Sequence, residues 1–355
     1  MEKKEKKILN RGGDYMKRVI MFLVIFVMAL NLTGCRREAQ APSELTIYTY
    51  DSFISYGLPE ATNSIFEQRY NCKVNYLSFG DSKEVLNRLL LEKDNPQADI
   101  FVGINIDDLD KALSSDLFVS YKPQNADKVP PEYVLDSEWR LVPFEGPNSI
   151  AILYDSEKIK DPPKSFNDLL KPEFEKTLIL EDPRTSGPGM SLLLWTIAVY
   201  GEDGYINYWK QLNKTIFHIY PGWDAAFEAF TKGEAPMVIS YDTDPAYFYH
   251  EEQITKYKAV IPEEGGWMYL EFAGIIKGTK KSELAQKYID FMLSPEFQKE
   301  IFAHQWMNPI VPDTPLPEYA AYVAKASKYL TLPPEEISQK SEQWLQRWIE
   351  EVVSQ

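Results

Sequence analysis

Two tyrosines and two carboxylates crowd into Tyr241-Asp242-Thr243-Asp244-Pro245-Ala246-Tyr247, directly after the apolar run Val238-Ile239-Ser240. This is the chemistry of a site for a flat cation. Aromatic faces attract positive charge, and carboxylates supply the balancing negative charge. Pro245 cannot donate to a strand ladder, so the strand should stop and these groups should gather on a loop at its end. The same letters also spell an ordinary acidic turn with one core tyrosine, because Asp and Pro are common turn formers. The other strand ends decide between the two.

Several of those ends carry suitable groups. Tyr50-Asp51-Ser52-Phe53 follows the first strand and Gly80-Asp81-Ser82 the second, where Asp81 or Ser82 can also cap the following helix without any ligand. Glu181-Asp182-Pro183-Arg184-Thr185-Ser186-Gly187-Pro188-Gly189 opens an apolar helix, and its backbone N–H groups could meet hydroxyl or phosphate oxygens. It lacks the lysine and the spacing of a nucleotide P-loop. Pro221-Gly222-Trp223-Asp224 likewise starts a helix and puts an indole at the edge of a cleft, unless Trp223 is core. Trp306-Met307-Asn308-Pro309 offers a further ring, whereas Trp267 and Tyr269 sit in a strand where packing is their expected role.

Catalytic motifs are weak. His218, His250 and His304 lack metal-ligand spacing, no Gly-x-Ser-x-Gly elbow occurs, and carboxylate pairs are inevitable in so acidic a chain. A binding protein is the expectation, with no catalytic residue, no metal and no cofactor.

The elements that must position these groups alternate. Strands at 45–50, 72–79 and 98–103 are separated by helical spacing over 59–70 and 82–92, which predicts a parallel sheet with helices on both faces. Residues 140–154 give two strand-like pieces around Gly146-Pro147, a crossing into a second domain. There the alternation repeats: strands near 177–180, 215–220 and 236–241, helices over 190–200, 206–212 and 225–232. A strand at 267–276 should carry the chain back, followed by helices near 282–293, 295–303, 317–327 and 334–353. A chain that leaves one domain, builds another and returns makes two hinged lobes around a cleft, lined by the carboxyl ends of the strands. The predicted lobes are 44–145 plus 270–355, and 146–269.

The N-terminus reads as an export signal. Lys17-Arg18 precede an apolar run shorter than the ~20 residues that cross a bilayer, and Leu32-Thr33-Gly34-Cys35 resembles a bacterial lipobox. Cys35 is then the lipidated first residue of the mature chain, with 35–43 as its tether, and Cys72 is left without a disulfide partner. The alternative is a plain cleaved signal with a chance cysteine. Arg11-Gly12-Gly13-Asp14 before Met16 matches a translated ribosome-binding site, so residues 1–15 are expected to be a misassigned start.

Without residues 1–34, which hold seven basic and three acidic residues, 31 Lys and Arg face 50 Asp and Glu, a formal charge of −19. Such a chain repels nucleic acid and anionic lipid and draws in cations. Its roughly 320 remaining residues exceed what one core usually organises, again pointing to two domains.

In these blocks the chain resembles the thiamine-binding proteins of bacterial ABC transporters, within the periplasmic solute-binding proteins. The marks are Tyr48-Thr49-Tyr50-Asp51-Ser52-Phe53, Leu86-Asn87-Arg88-Leu89, Asp182-Pro183-Arg184-Thr185-Ser186 with Pro188-Gly189 and Leu193-Leu194-Trp195, Gly222-Trp223, and Ser240-Tyr241 with Pro245-Ala246-Tyr247. The resemblance implies a type II-like periplasmic-binding fold, an ABC permease as partner, and a monomeric receptor at the cell surface or in the periplasm. The ligand residues it implies are Tyr50, Asp81, Ser82, Ser186, Gly187, Trp223, Tyr241, Asp242, Thr243, Asp244, Tyr247 and Trp306. Tyr247 and Trp306 would sandwich the pyrimidine of thiamine, Asp81 with Tyr50 would face the thiazolium, and Ser186-Gly187 with Trp223 would receive the hydroxyethyl or phosphate tail. Four positions depart from the resemblance: Ser82 sits where related proteins can carry glycine, Gly187 where they can carry threonine, and Asp242 and Asp244 where they can carry small hydroxyl residues. Other ligands left open are a polyamine, a thiamine precursor and ferric ion, although ferric sites want adjacent tyrosines. A thiamine-degrading enzyme would need a cysteine nucleophile, and Cys72 lies inside a strand-like run.

Overall fold

The first strand, β1 (Ser43–Thr49), pairs in parallel with β2 (Cys72–Ser78) on one side and β3 (Ile100–Asn105) on the other. The computed structural model describes residues 43–354; Cys35, its tether and the leader lie outside the described residues. β2 is the edge: Cys72 and Val74 point inward while Lys73 and Asn75 are exposed, the alternation of a strand covered on one face. Every residue of β3 is buried, as expected for a continuous apolar run inside a parallel sheet. Helices α1 (Asp51–Ser55) and α2 (Leu58–Tyr70) follow β1, and α3 (Ser82–Leu91) follows β2, burying Val85, Leu86 and Leu89. α4 (Leu109–Ser114) and the short β4 (Phe118–Val119) complete this part.

A second parallel group consists of β6 (Leu178–Glu181), β7 (Ile216–Tyr220) and β8 (Met237–Tyr241). Between them run α5 (Gly187–Leu212) and α6 (Trp223–Thr231), and after β8 comes α7 (Asp244–Glu252). The two helices expected over 190–200 and 206–212 meet in α5 at Gly201, whose φ of 71° and ψ of 170° interrupt the helical path.

Two long strands join the groups. β5 (Val142–Asp155) and β10 (Gly266–Ile276) lie side by side and antiparallel, with β3 against β10 and β8 against β5. The strand path is therefore β2-β1-β3-β10-β5-β8-β6-β7, with β4, β9 (Tyr257–Val260) and β11 (Tyr329–Leu330) at its margins. The expected parallel sheets hold on either side, and the mixed centre arises because the chain crosses between them out and back. Gly146-Pro147, taken from the sequence as a break between two strand pieces, lies inside the single strand β5.

The C-terminal part is helical, with α8 (Ser282–Met292), α9 (Pro295–His304) and α10 (Pro334–Trp348). A helix over 317–327 was expected, but only a short 3-10 turn at Glu318–Tyr322 forms. Tyr319 and Tyr322 stack on His250 and Tyr249 of α7, with ring centroids 4.1 Å apart in each pair, so the segment is organised by contacts with α7 instead of by its own helical ladder. No helix among the described residues is long and apolar enough to cross a membrane.

Candidate functional site

The carboxyl ends of both parallel groups open onto one cleft. Tyr50 arrives from the end of β1, Gly80, Asp81 and Ser82 from the end of β2, Pro188 from the start of α5, Trp223 and Asp224 from the end of β7, and Tyr241 and Asp244 from the end of β8. Tyr247 on α7, Tyr269 and Glu271 on β10, and Gln305, Trp306 and Met307 after α9 close the remaining sides, with Ser52 and Tyr56 completing the wall. The cleft encloses about 640 Å³, counting its mouth.

Four carboxylates line this space, Asp81, Asp224, Asp244 and Glu271, and among the described residues no Lys, Arg or His does. Burial pushes the Asp244 carboxyl up to about 7 despite hydrogen bonds from Ser240 and the Tyr241 amide. Glu271 is likewise raised to about 7 by burial, against the pull of its two tyrosine donors. Burial raises Asp81 too, partly offset by donors from Gly187, Ser82 and Ser186, and it raises Asp224, helped by the nearby charges of Asp51 and Asp81. Desolvation disfavours each charged form, and a cation arriving in this space would supply the counter-charge that favours ionisation.

Local folding explains the placements. Asp81 is the N-cap of α3, its own N–H donates to Glu84 Oε2 at 3.3 Å, and its Oδ1 accepts from Ser82 Oγ at 3.1 Å and from the Gly187 N–H at 3.2 Å. The capping and cleft roles coincide in one residue. Trp223 donates through Nε1 to Ser240 Oγ at 2.8 Å, fixing the indole across the end of β8. Tyr50 donates to Glu271 Oε2 at 2.8 Å and accepts from Gln305 Nε2 at 2.6 Å. Gly103 makes room for that ring: its φ is +108°, and a side chain there would strike Tyr50.

The structure divides the residues named from sequence. Tyr50, Asp81, Ser82, Trp223, Tyr241, Asp244, Tyr247 and Trp306 line the cleft. Ser186, Gly187, Asp242 and Thr243 do not. Ser186 is fully buried as the N-cap of α5, its hydroxyl accepting from Gly189 N–H, and Gly187 turns its N–H onto Asp81. Asp242 and Thr243 are buried behind the wall, the Asp242 amide donating to Ser149 O at 3.0 Å. The expected loop is also corrected: Asp244 and Tyr247 stand in the first turn of α7, because Pro245 fits a helix start, where its missing N–H has no partner to lose. Nor do Tyr247 and Trp306 form two parallel faces. Their rings meet edge to face at 84° with centroids 5.1 Å apart, making a corner against which a ligand ring can lie on one side only.

Sequence reasoning missed Tyr56, Tyr269, Glu271 and Gln305. Tyr56 packs edge-on to Tyr247 at 5.8 Å and lies 6.0 Å from Trp223, which places it in the aromatic wall. Tyr269 donates to Glu271 Oε1 at 2.9 Å. The available signal was Glu271 itself, one charged residue two positions after a tyrosine on an otherwise apolar strand; that spacing puts both on the same face.

The profile of the bacterial extracellular solute-binding protein family matches residues 95–331. The chain belongs to that family. A thiamine-binding periplasmic protein of Brucella melitensis is 37% identical over 94% of this chain and 98% of its own length. Its Escherichia coli counterpart is 36% identical over 88% and 95%. Among solved structures, a periplasmic thiamin binding protein matches with a TM-score of 0.83 at 35% identity, covering 89% of this chain and 98% of that one. The resemblance carried by the strand-end motifs therefore holds over nearly the whole chain. At Gly187 a Cβ would lie 2.9 Å from Asn105 Nδ2 and 3.2 Å from Ser82 Oγ, so the glycine lets the start of α5 approach the ends of β2 and β3 this closely.

Proposed function

We propose that this solute-binding protein captures thiamine in the cleft and delivers it to the permease of an ABC importer. The observation that carries the reading is a wall of four carboxylates and several aromatic rings with no basic side chain among the described residues. Thiamine presents a permanently cationic thiazolium, an aminopyrimidine with donor and acceptor edges, and a hydroxyethyl tail, which that wall complements. The relatives named above are thiamine binders by name, and the eight sequence-named residues in the cleft are the proposed contacts. In this reading residues 44–145 with 270–355 and residues 146–269 act as lobes, hinged on β5 and β10. The receptor is a monomer that needs no cofactor and is tethered through a lipid on Cys35.

A thiamine-degrading enzyme would need a cysteine, and among the described residues none lines the cleft. Cys72 begins β2, whereas the cleft lies beyond that strand's other end, and burial with the neighbouring Glu67 raises its thiol above the usual range. Calorimetric titration with thiamine, its mono- and diphosphate, the isolated pyrimidine and spermidine tests the assignment. Thiamine should bind tightest of the uncharged and cationic compounds. If none of the thiamine compounds binds tighter than millimolar while spermidine does, the ligand is wrong. Mass spectrometry of thiamine incubated with the protein should show intact thiamine only.

A further inference from the structure

Glu145 on β5 and Glu271 on β10 are partners in strand register, so two carboxyls face each other across the central strand pair. Glu271 reaches the cleft, and Glu145 lies fully buried against it. Glu271 accepts from Tyr50 and Tyr269, whereas neither oxygen of Glu145 finds a hydrogen-bond partner among the described residues. The groups facing the pair come from every neighbouring element. They are Tyr50 after β1, Asp81 at the start of α3, Tyr241 on β8, Tyr269 on β10, and the uncharged Gln305 and Pro309 after α9. None is basic. Two ionised carboxylates cannot coexist at this place without a counter-charge, because like charges in a desolvated site each oppose the other's ionisation.

We propose that Glu271, backed by Glu145, is the residue that selects charge in this cleft, and that an organic cation entering it displaces a proton the two carboxyls hold in its absence. This rests on the reading of the cleft as a cation site. Glu145 stays protonated throughout, since it is fully buried and no donor among the described residues stabilises its charged form. Glu271 exchanges, consistent with its titration near neutrality. The balance is simple: the ligand brings one positive charge, the O–H bond of Glu271 breaks, and one proton leaves to solvent. An uncharged ligand of the same outline gains nothing from Glu271 and releases no proton.

The test is calorimetry of thiamine binding to the wild type, Glu271→Gln and Glu145→Gln between pH 6 and pH 8, in buffers with different ionisation heats. Each group titrating near 7 that must be ionised in the complex raises affinity about tenfold between pH 6 and pH 8; Asp244 adds its own share in the wild type and in Glu271→Gln alike, so the difference between the two proteins reads Glu271. That tenfold share should vanish in Glu271→Gln, along with at least tenfold in affinity at pH 8, while binding of thiochrome, an uncharged oxidised relative of thiamine, is unchanged. Equal pH dependence in wild type and Glu271→Gln overturns the proposal while leaving the thiamine assignment standing. If thiamine does not bind but spermidine does with the same proton release, the thiamine assignment fails and the charge-selecting pair stands. If neither binds, both fail. Infrared spectra of the ligand-free protein give a second readout: a protonated-carboxyl band that persists at pH 8 and loses intensity in Glu145→Gln, the remainder belonging to other buried carboxyls such as Glu181 and Asp242. An unchanged band in Glu145→Gln overturns the protonated Glu145 on which the proposal rests.

Discussion

Asp244→Asn should make the ligand-free protein more stable at pH 8 and leave it nearly unchanged at pH 4. Asp244 is buried at the start of α7, its Oδ2 accepting from the Tyr241 amide at 3.1 Å, and its carboxyl titrates near 7 where an unfolded aspartate titrates near 3.8. At 1.36 kcal/mol per pH unit, that rise corresponds to about 4 kcal/mol. The sign follows from proton counting. Between the two values the folded protein holds a proton that the unfolded chain has lost, so stability falls as pH rises. The contribution is fully present below about 3.8 and lost above about 7. Asparagine does not titrate, yet its side-chain oxygen can still accept from the Tyr241 amide. The difference in unfolding free energy between variant and wild type should therefore grow from pH 4 to pH 7 and level off near 4 kcal/mol, an upper limit because relaxation around the charge lowers it. Urea unfolding followed by tryptophan fluorescence measures the difference. Glu271 and Asp107 also titrate near 7 but do so in both proteins, and cancel. Parallel stability curves for the two proteins across this range would refute the claim that Asp244 is buried without compensating charge. The same substitution should weaken thiamine binding, because asparagine carries no charge to pair with the cation.

Tyr247→Ala should weaken thiamine binding by roughly 1 to 3 kcal/mol if the ring stacks on the ligand, on the scale known for bases on aromatic side chains, and titration calorimetry reads it directly. Gly187→Thr should lower stability by about 1 to 3 kcal/mol, because the new side chain crowds Asn105 and Ser82; an unchanged urea midpoint would show that the start of α5 yields freely. Trp267→Phe should lower stability by about 1 to 3 kcal/mol, since Asp107 would lose the indole donor at 3.1 Å and keep only Ser191, a loss that chemical denaturation measures.

Much of the site was legible because cleft residues in alternating α/β sheets follow strand ends, and strand ends are marked by local composition. Asp81, Trp223 and Tyr241 were found this way. Asp242 and Asp244 show where the signal stops: two residues apart and chemically alike, one faces the cleft and the other lies behind its wall. Which is which depends on where β8 ends and α7 begins, a boundary set by the packing of Tyr247, Phe248 and Trp306, not by the letters alone. Tyr269 and Glu271 were hidden for a related reason. An apolar strand at the centre of a sheet has a packing explanation for every residue, and only its neighbours show that one face looks into a cavity.

By itself, the sequence determined the alternation of strands and helices, the out-and-back path of the chain, the acidic character of the receptor and the kind of ligand it attracts, because these follow from local periodicity and summed charge. Tertiary structure alone decided which acids face the cleft, that no basic side chain lines it, and that Glu145 and Glu271 oppose each other across strands 126 residues apart in sequence. Desolvation is the reason: a carboxylate acquires its unusual proton affinity from everything packed around it, and those neighbours come from across the chain.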